Sequence, residues 1–249
     1  MGNRIILEEK EDGILLFKMQ DIEGKNIFTD PFIADFLEAL DKTEQKIQPK
    51  VIVLSGLADV FCGGGEKKTL MDLCEGKIDV KDLVLSERLL NTPAPVIAAM
   101  EGHAMGGGLV VGLCCDIVVA AEESRYGAVF MNMGFTPGMG CTTLLQGLVG
   151  QFIANEMMLT GKRFKGRELK EKGVNINYIL PKEKVASKAY DIAVQISEKN
   201  IQSLTLLKSA LSCGKKKLLV DARLQEDMMH KITFSLPETK KTIQEFYAE

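Results

Sequence analysis

The 249-residue chain has no tryptophan, two histidines and seven prolines. Its six cysteines, at positions 62, 74, 114, 115, 141 and 213, form no CxxC pair. With two histidines and no Cys/His cluster, a zinc site has almost no ligands to draw on. The scatter predicts reduced, mostly buried thiols and a cytoplasmic protein rather than a disulfide framework. No apolar run approaches the roughly 20 residues that span a bilayer. The longest, Leu109 to Cys115, reads as a buried element, and the charged, strand-like stretch Met1 to Lys10 does not read as a signal peptide. An excess of positive charge is also missing: 31 basic residues face 34 acidic ones, a net charge of -3. Bulk electrostatics therefore argues against nucleic acid as a partner, although Lys215-Lys216-Lys217 forms a local basic patch. With 46% apolar and 26% charged residues, the chain has the composition of a folded body with a sizeable core.

That body reads as α/β. Arg4–Glu9 and Gly13–Met19 predict two strands joined by a turn at Glu11-Asp12-Gly13. Lys50–Ser55, Pro95–Met100 and Asp116–Ala120 are short continuous apolar runs, as buried parallel strands are. Helical patterns lie between them, at Asp30–Lys46 with Asp30 as N-cap and Pro31 in first position, then at Glu66–Glu75, Lys81–Leu90 and Gly108–Cys115. Beyond Phe152 the pattern turns helical, with segments expected at Ile153–Leu159, Gly166–Lys172, Lys182–Glu198, Leu204–Cys213, Lys217–Ile232 and Pro237–Phe246, and a late strand at Tyr178–Leu180. This divides the chain into an α/β core over 1–195 and a helical region over 196–249.

Two glycine triplets break the ordinary pattern. Phe61-Cys62-Gly63-Gly64-Gly65-Glu66 and Gly102-His103-Ala104-Met105-Gly106-Gly107-Gly108 each follow a predicted strand and open a predicted helix. Glycine costs about 0.5–1 kcal/mol in regular structure, so three in succession need a reason. Either these are two tight turns, or their N–H groups approach a ligand, as the donors of an oxyanion hole do. Neither triplet has the spacing of a dinucleotide fingerprint or of a phosphate loop.

These triplets, with Pro95–Gly108 (PVIAAMEGHAMGGG), Cys115-Asp116-Ile117-Val118 and Gly134–Gly140 (GFTPGMG), resemble the enoyl-CoA hydratase/isomerase (crotonase) superfamily over nearly the whole chain. The resemblance implies a spiral of ββα units, a helical C-terminal trimerisation region, and a homotrimer or dimer of trimers. It also implies a thioester whose carbonyl is held by the N–H groups of Gly65 and Gly107. Hydratases of the superfamily use two glutamates; the corresponding positions here are Val110 and Phe130. Adding water needs a positioned acid or base, and neither side chain supplies one. An apolar wall of Val110, Val129 and Phe130 would instead desolvate a substrate carboxylate and favour its loss as CO2.

Within the superfamily, GHAMGGGLVVGL, SRYGAVFMNMGFTPGMG, LTGKRFKGRELKEKGV and EDMMHKITF are similar to the decarboxylase branch of polyketide β-branching cassettes. That branch implies a 3-methylglutaconyl thioester on acyl carrier protein or coenzyme A as substrate, a 3-methylcrotonyl-type product and no further cofactor. It also implies that a histidine in an MMH segment, here His230, handles the proton. A lysine is expected near the substrate carboxylate. The position one branch member uses is occupied by Leu73, so Lys77 and Lys81 are the candidates, with Lys67 and Lys68 nearby. Tyr126 and Met133 are expected in the acyl pocket, and Lys25 at the pantetheine phosphates. His103, beside the glycines, reads as structural. Isomerisation, hydration and non-catalytic thioester binding are the alternative readings.

Overall fold

The computed structural model describes residues 4–78 and 84–248, so Lys81 lies outside it. The first half holds β1 (Ile5–Glu9), β2 (Ile14–Met19), β3 (Ile27–Phe28), α1 (Asp30–Lys42), β4 (Val51–Ser55), β5 (Val60–Cys62), β6 (Gly64–Gly65), α2 (Lys67–Cys74), α3 (Leu85–Asn91), β7 (Val96–Met100), β8 (His103–Met105) and α4 (Gly107–Leu113). The second half continues with β9 (Ile117–Ala121), β10 (Arg125–Gly127), α5 (Cys141–Val149), α6 (Gln151–Thr160), β11 (Phe164–Lys165), α7 (Gly166–Glu171), β12 (Tyr178–Leu180), α8 (Val185–Ser197), α9 (Ile201–Thr233) and α10 (Pro237–Phe246).

The strands repeat a ββα rhythm. β4, β7 and β9 are neighbours in a six-stranded sheet of order β1-β2-β4-β7-β9-β12, while β5, β8 and β10 lie in a four-stranded sheet of order β11-β10-β8-β5. Each turn of the spiral thus gives one strand to each sheet before a helix returns the chain. The central strands read as unbroken apolar runs because both of their faces are covered. On one face Ile52, Leu54, Ala98, Val118 and Ala120 join the main core. On the other, Val51, Val53, Ile97, Ala99 and Val119 pack under Val185, Ala189 and Ala193 of α8. The period of two in the strand sends alternate residues to opposite cores.

Three local expectations change. The N-cap of α1 is Thr29, whose extended backbone lets its hydroxyl accept from Phe32 N at 3.2 Å, and Asp30 is already helical. The small strands around the glycine segments, β3, β5, β6 and β8, are two or three residues long and show no period in the sequence. The two helices expected at 204–213 and 217–232 are one 33-residue helix, α9, running through Gly214. A glycine in a helix interior costs only about 1 kcal/mol, and the lysines around it dock the helix on the body. Lys215 turns inward, its Nζ donating to Leu113 O at 3.0 Å and Cys115 O at 2.7 Å, the carbonyl end of α4. Lys208 Nζ meets both carboxylate oxygens of Asp116 at 2.7 Å. The expected basic patch is therefore in part a docking device.

The thiols fall as expected: Cys62, Cys114, Cys115 and Cys141 are buried, Cys213 is exposed, and all six are free. Among the described residues no helix is long and apolar enough to cross a membrane, and no cluster of three or more His, Cys, Asp or Glu is placed to hold a metal.

The Lys208–Asp116 pair yields a test of how α9 is held. The Lys208 side chain is 2% exposed, and Asp116 also accepts from Val96 N at 2.8 Å. Removing one partner of such a pair strands the other, so Lys208→Met should lower unfolding stability by about 3 kcal/mol, read from urea denaturation.

Candidate active site

The two glycine triplets meet. β3 pairs with β6 in parallel, setting Phe28 against Gly65, and Gly63 N donates to Lys25 O at 3.2 Å. A Cβ on Gly64, whose φ is +85°, would lie 2.5 Å from Met105 O and 3.3 Å from Gly107 N. A Cβ on Gly108 would lie 2.1 Å from Cys62 O, and one on Gly107 would lie 2.6 Å from the Phe28 ring. No side chain fits at these contacts, which is why glycine recurs in both segments. Gly107 opens α4, and the first N–H groups of a helix have no intrahelical acceptor.

Gly65 and Gly107 both border a cavity of about 210 Å³. Its far wall comes from a 3₁₀ turn at Val129–Met133, which brings Val129, Phe130 and Met133 to the space. Phe130 packs edge-on against Phe135 at 6.0 Å, and Phe135 stacks on Phe234 at 4.6 Å. α2 supplies Leu70 and Leu73, and the end of α10 supplies Phe246 and Tyr247.

His230 enters from α9 and is 5% exposed. Its Nε2 lies 2.8 Å from Thr136 O, while Nδ1 is buried without a partner among the described atoms. A carbonyl oxygen only accepts, so Nε2 carries the proton and Nδ1 the lone pair. Burial holds the imidazole pKa below its ordinary value, against the opposing pull of the Thr136 carbonyl. The ring lies against the glycine-rich segment, where a Cβ on Gly138 would come within 2.5 Å of it.

One turn earlier on α9, the carboxylate of Glu226 accepts from Gly140 N at 2.6 Å, Thr142 N at 3.0 Å and Thr142 Oγ1 at 2.7 Å. Burial raises its pKa and these donors oppose the rise. Glu226 thus fixes the segment whose Thr136 carbonyl orients His230.

The structure separates the other expected site residues. Val129, Phe130, Met133, His230, Gly65 and Gly107 converge on the cavity. Val110 does not: the cavity meets α4 at Gly107, and Val110 lies in the main core. Tyr126 is a strut instead of a pocket residue. Its hydroxyl accepts from Ala121 N at 2.8 Å and donates to Met100 O at 2.8 Å, in the interior behind the site. Lys77 is also elsewhere, exposed and paired with Asp72 at 3.1 Å and Glu75 at 2.7 Å. Lys68 pairs with Asp72 at 3.1 Å. Lys25 contributes its carbonyl to Gly63, but its Nζ sits on Asp59 at 3.0 Å. His103 Nδ1 accepts from Arg125 N at 3.0 Å, a structural role. Burial pushes the Cys62 thiol up to about 12, so it is no nucleophile beside the glycines.

Two wall residues escape a reading of the sequence. Arg163 lies inside the TGKRF segment without a motif of its own. Tyr247 lies near the chain end; its hydroxyl donates to Gly65 O at 2.7 Å, and burial pushes its pKa up to about 12.

A family model described as enoyl-CoA hydratase/isomerase matches residues 9–249. The chain belongs to this family. It is 36% identical over 241 residues to the bacillaene synthase decarboxylase PksI of Bacillus subtilis (strain 168), a match covering 97% of this chain and 96% of that one. A solved structure from a dehydratase/decarboxylase enzyme couple involved in polyketide β-branching matches with a TM-score of 0.95 and 36% identity, over 99% of this chain and 100% of that chain. The ECH2 decarboxylase domain of CurF from Lyngbya majuscula matches at 0.93 and 32%, over 98% and 100%. The ββα spiral and the helical C-terminal region are those of the enoyl-CoA hydratase/isomerase family.

The burial of His230 predicts its titration. Because the folded pKa lies below the ordinary value of about 6.5, the folded ring stays neutral where an unfolded one takes up a proton. This residue's contribution to stability is therefore present above about pH 6.5 and is lost as pH falls below it. Long-range nitrogen–proton NMR should show an Nε2–H tautomer at neutral pH and a midpoint below 6.5; His103→Gln assigns the signal, since the chain has two histidines.

Proposed function

We propose that this protein is a lyase that removes CO2 from a 3-methylglutaconyl thioester, carried on acyl carrier protein or coenzyme A, in polyketide β-branching. The observation that carries the reading is the composition of the cavity wall. Among the described residues it contains no carboxylate, so the groups that hydration demands are missing at the acyl chain. The decarboxylases among the chain's relatives support the same reading.

The chemistry follows from the wall. The bond between the chain and its terminal carboxylate breaks, CO2 leaves, and the electron pair passes through the carbon–carbon double bond to the thioester oxygen. The conjugated thioester is its own electron sink, so the reaction draws on no cofactor. In this reading the N–H groups of Gly65 and Gly107 face the developing oxyanion, where one such donor is worth about 10²–10³ in rate. Phe130, Val129 and Met133 keep water away, which removes solvation from the carboxylate more than from the spread-out charge that replaces it. A proton must then return to carbon. His230 Nδ1 is the basic atom on the wall: a nearby negative dienolate favours its imidazolium form, so the ring takes one proton from solvent and delivers it to the carbon that needs it, returning to the neutral state.

Incubating the protein with 3-methylglutaconyl-carrier protein and weighing the acyl chain tests this. Loss of the mass of CO2 is expected; a change by the mass of water overturns the reading in favour of hydration, and an unchanged thioester in favour of a binding protein. His230→Ala should stay folded by circular dichroism and slow single turnover by about 10². A parent rate in the folded variant would leave His230 a packing residue.

The reading includes an assembly. Leu206, Leu207, Leu211, Leu218, Leu224 and Met228 on α9 are each at least half exposed. An apolar helix face of this extent needs a partner surface, so the division into a 1–195 core and a 196–249 assembly region implies a homotrimer or a pair of trimers. Light scattering should give a mass of three or six chains; a monomer at micromolar concentration overturns it. A cytoplasmic location completes the proposal.

A further inference from the structure

Arg163 is the one formally charged side chain bordering the cavity among the described residues; the rest of the wall is apolar, glycine, His230 or Tyr247. Its guanidinium carbon lies 5.8 Å from the centre of the Phe246 ring. Its stem lies along β10, where a Cβ on Gly127 would come 3.1 Å from Arg163 Cγ. The neighbouring Lys162 pairs with Glu156 at 3.3 Å, and Lys77 pairs with Asp72 and Glu75. No described carboxylate makes an ion pair with Arg163. A guanidinium held on an aromatic face, at an apolar cavity and without an acidic partner, is suited to a planar anion taken in two-pronged fashion.

We propose that Arg163 receives the terminal carboxylate of the acyl chain and selects thioesters of dicarboxylic acids. The proposal rests on the decarboxylase reading, which supplies the anionic chain. A carboxylate entering this wall without a cation would lose its hydration and gain nothing in return. Arg163 spans the gap because it is exposed to solvent on one side and borders the cavity on the other. The solvated phosphate of a pantetheine arm has no such need of a cation on the cavity wall. The pairing belongs to the ground state, since it vanishes when the carboxylate becomes CO2. It therefore adds affinity and selectivity rather than rate.

The test compares 3-methylglutaryl and 3-methylbutyryl thioesters, which differ only by the carboxylate. Neither loses CO2, because a saturated chain offers the electrons no path to the carbonyl. Calorimetry with pantetheine and coenzyme A thioesters of each, on the full chain and on Arg163→Gln, separates the sources of negative charge. Arg163→Gln should weaken the acid thioester about 10- to 100-fold on both carriers and leave the neutral one unchanged. Arg163→Lys should recover part of the loss. With the glutaconyl thioester, KM should rise alike and the saturating rate should not fall, because a contact made in the ground state alone does not stabilise the transition state.

Equal weakening of acid and neutral thioesters would overturn the proposal, as would weakening confined to coenzyme A or no change at all. It is also overturned if Lys81→Gln, rather than Arg163→Gln, abolishes discrimination. If the parent protein releases no CO2 from the glutaconyl thioester, the decarboxylase reading fails, and the binding comparison still decides the role of Arg163.

Discussion

The structure depends on one close approach, that of the Cys62–Gly65 backbone to the Met105–Gly108 backbone. A Cβ at Gly108 would sit 2.1 Å from Cys62 O, and one at Gly64 would sit 2.5 Å from Met105 O. Both distances lie well inside contact, so any side chain at either position would push the two segments apart. The sheets fix where these segments begin: β5 and β8 are parallel neighbours, and each leads directly into its glycines. Separation would open the cavity floor and move the start of α4 away from Gly65. Glycine's conformational freedom is secondary here; what matters is the absence of a side chain between two main chains.

The other side of the cavity is held by one helix face. Along α9, Lys208 grips Asp116, Lys215 grips the carbonyl end of α4, Glu226 grips Gly140 and Thr142, and His230 reaches Thr136. The same helix therefore anchors to the body that carries Gly107 and to the segment that orients the imidazole. Glu226 and His230 are four residues apart, one turn, and so lie on one face. A carboxylate that accepts three hydrogen bonds is a rigid tether. Through it the imidazole's hydrogen-bond partner and the start of α5 move as one unit. The opposite, leucine-rich face of α9 is left exposed, so any subunit packing there would act on the site through a helix already tied to it.

The sequence made the strands of the six-stranded sheet legible because their apolar runs are continuous, and the glycine segments legible because triplets are costly. It also carried the family, since the motifs keep their order. The second sheet was not legible: its strands are two or three residues long, too short for a period. Val110 and Tyr126 were misplaced for a common reason. A motif gives a residue's position along the chain, but not the direction in which a buried helix or strand turns it. Val110 is one residue among seven buried ones in α4, and the Tyr126 hydroxyl is taken up by Met100 and Ala121. Lys77 pairs with Asp72 and Glu75 outside the cavity wall, an arrangement that depends on how α2 ends and that the sequence does not display. Arg163 and Tyr247 reach the cavity through tertiary packing alone, the one from the β10–β11 edge and the other from the last helix.

The charge inventory of the wall explains why one scaffold can serve opposite chemistries. A family member with glutamates at the cavity holds negative charge beside the acyl chain, which suits water as reactant and repels a substrate carboxylate. With Phe130 on the wall and Val110 in the core, that repulsion is gone. The titratable groups left there are a buried imidazole held neutral, a tyrosine whose proton is held by burial, and a permanent guanidinium. At neutral pH such a wall is cationic by one charge, and an anionic chain compensates it. Once CO2 leaves, the negative charge moves toward the thioester oxygen, away from where the carboxylate stood. The His230 lone pair is then the one basic site on the wall facing a new anion. In the proposed reaction the imidazole therefore takes up a solvent proton more readily after the carbon–carbon bond has broken than before, which would order the two steps without a second acid.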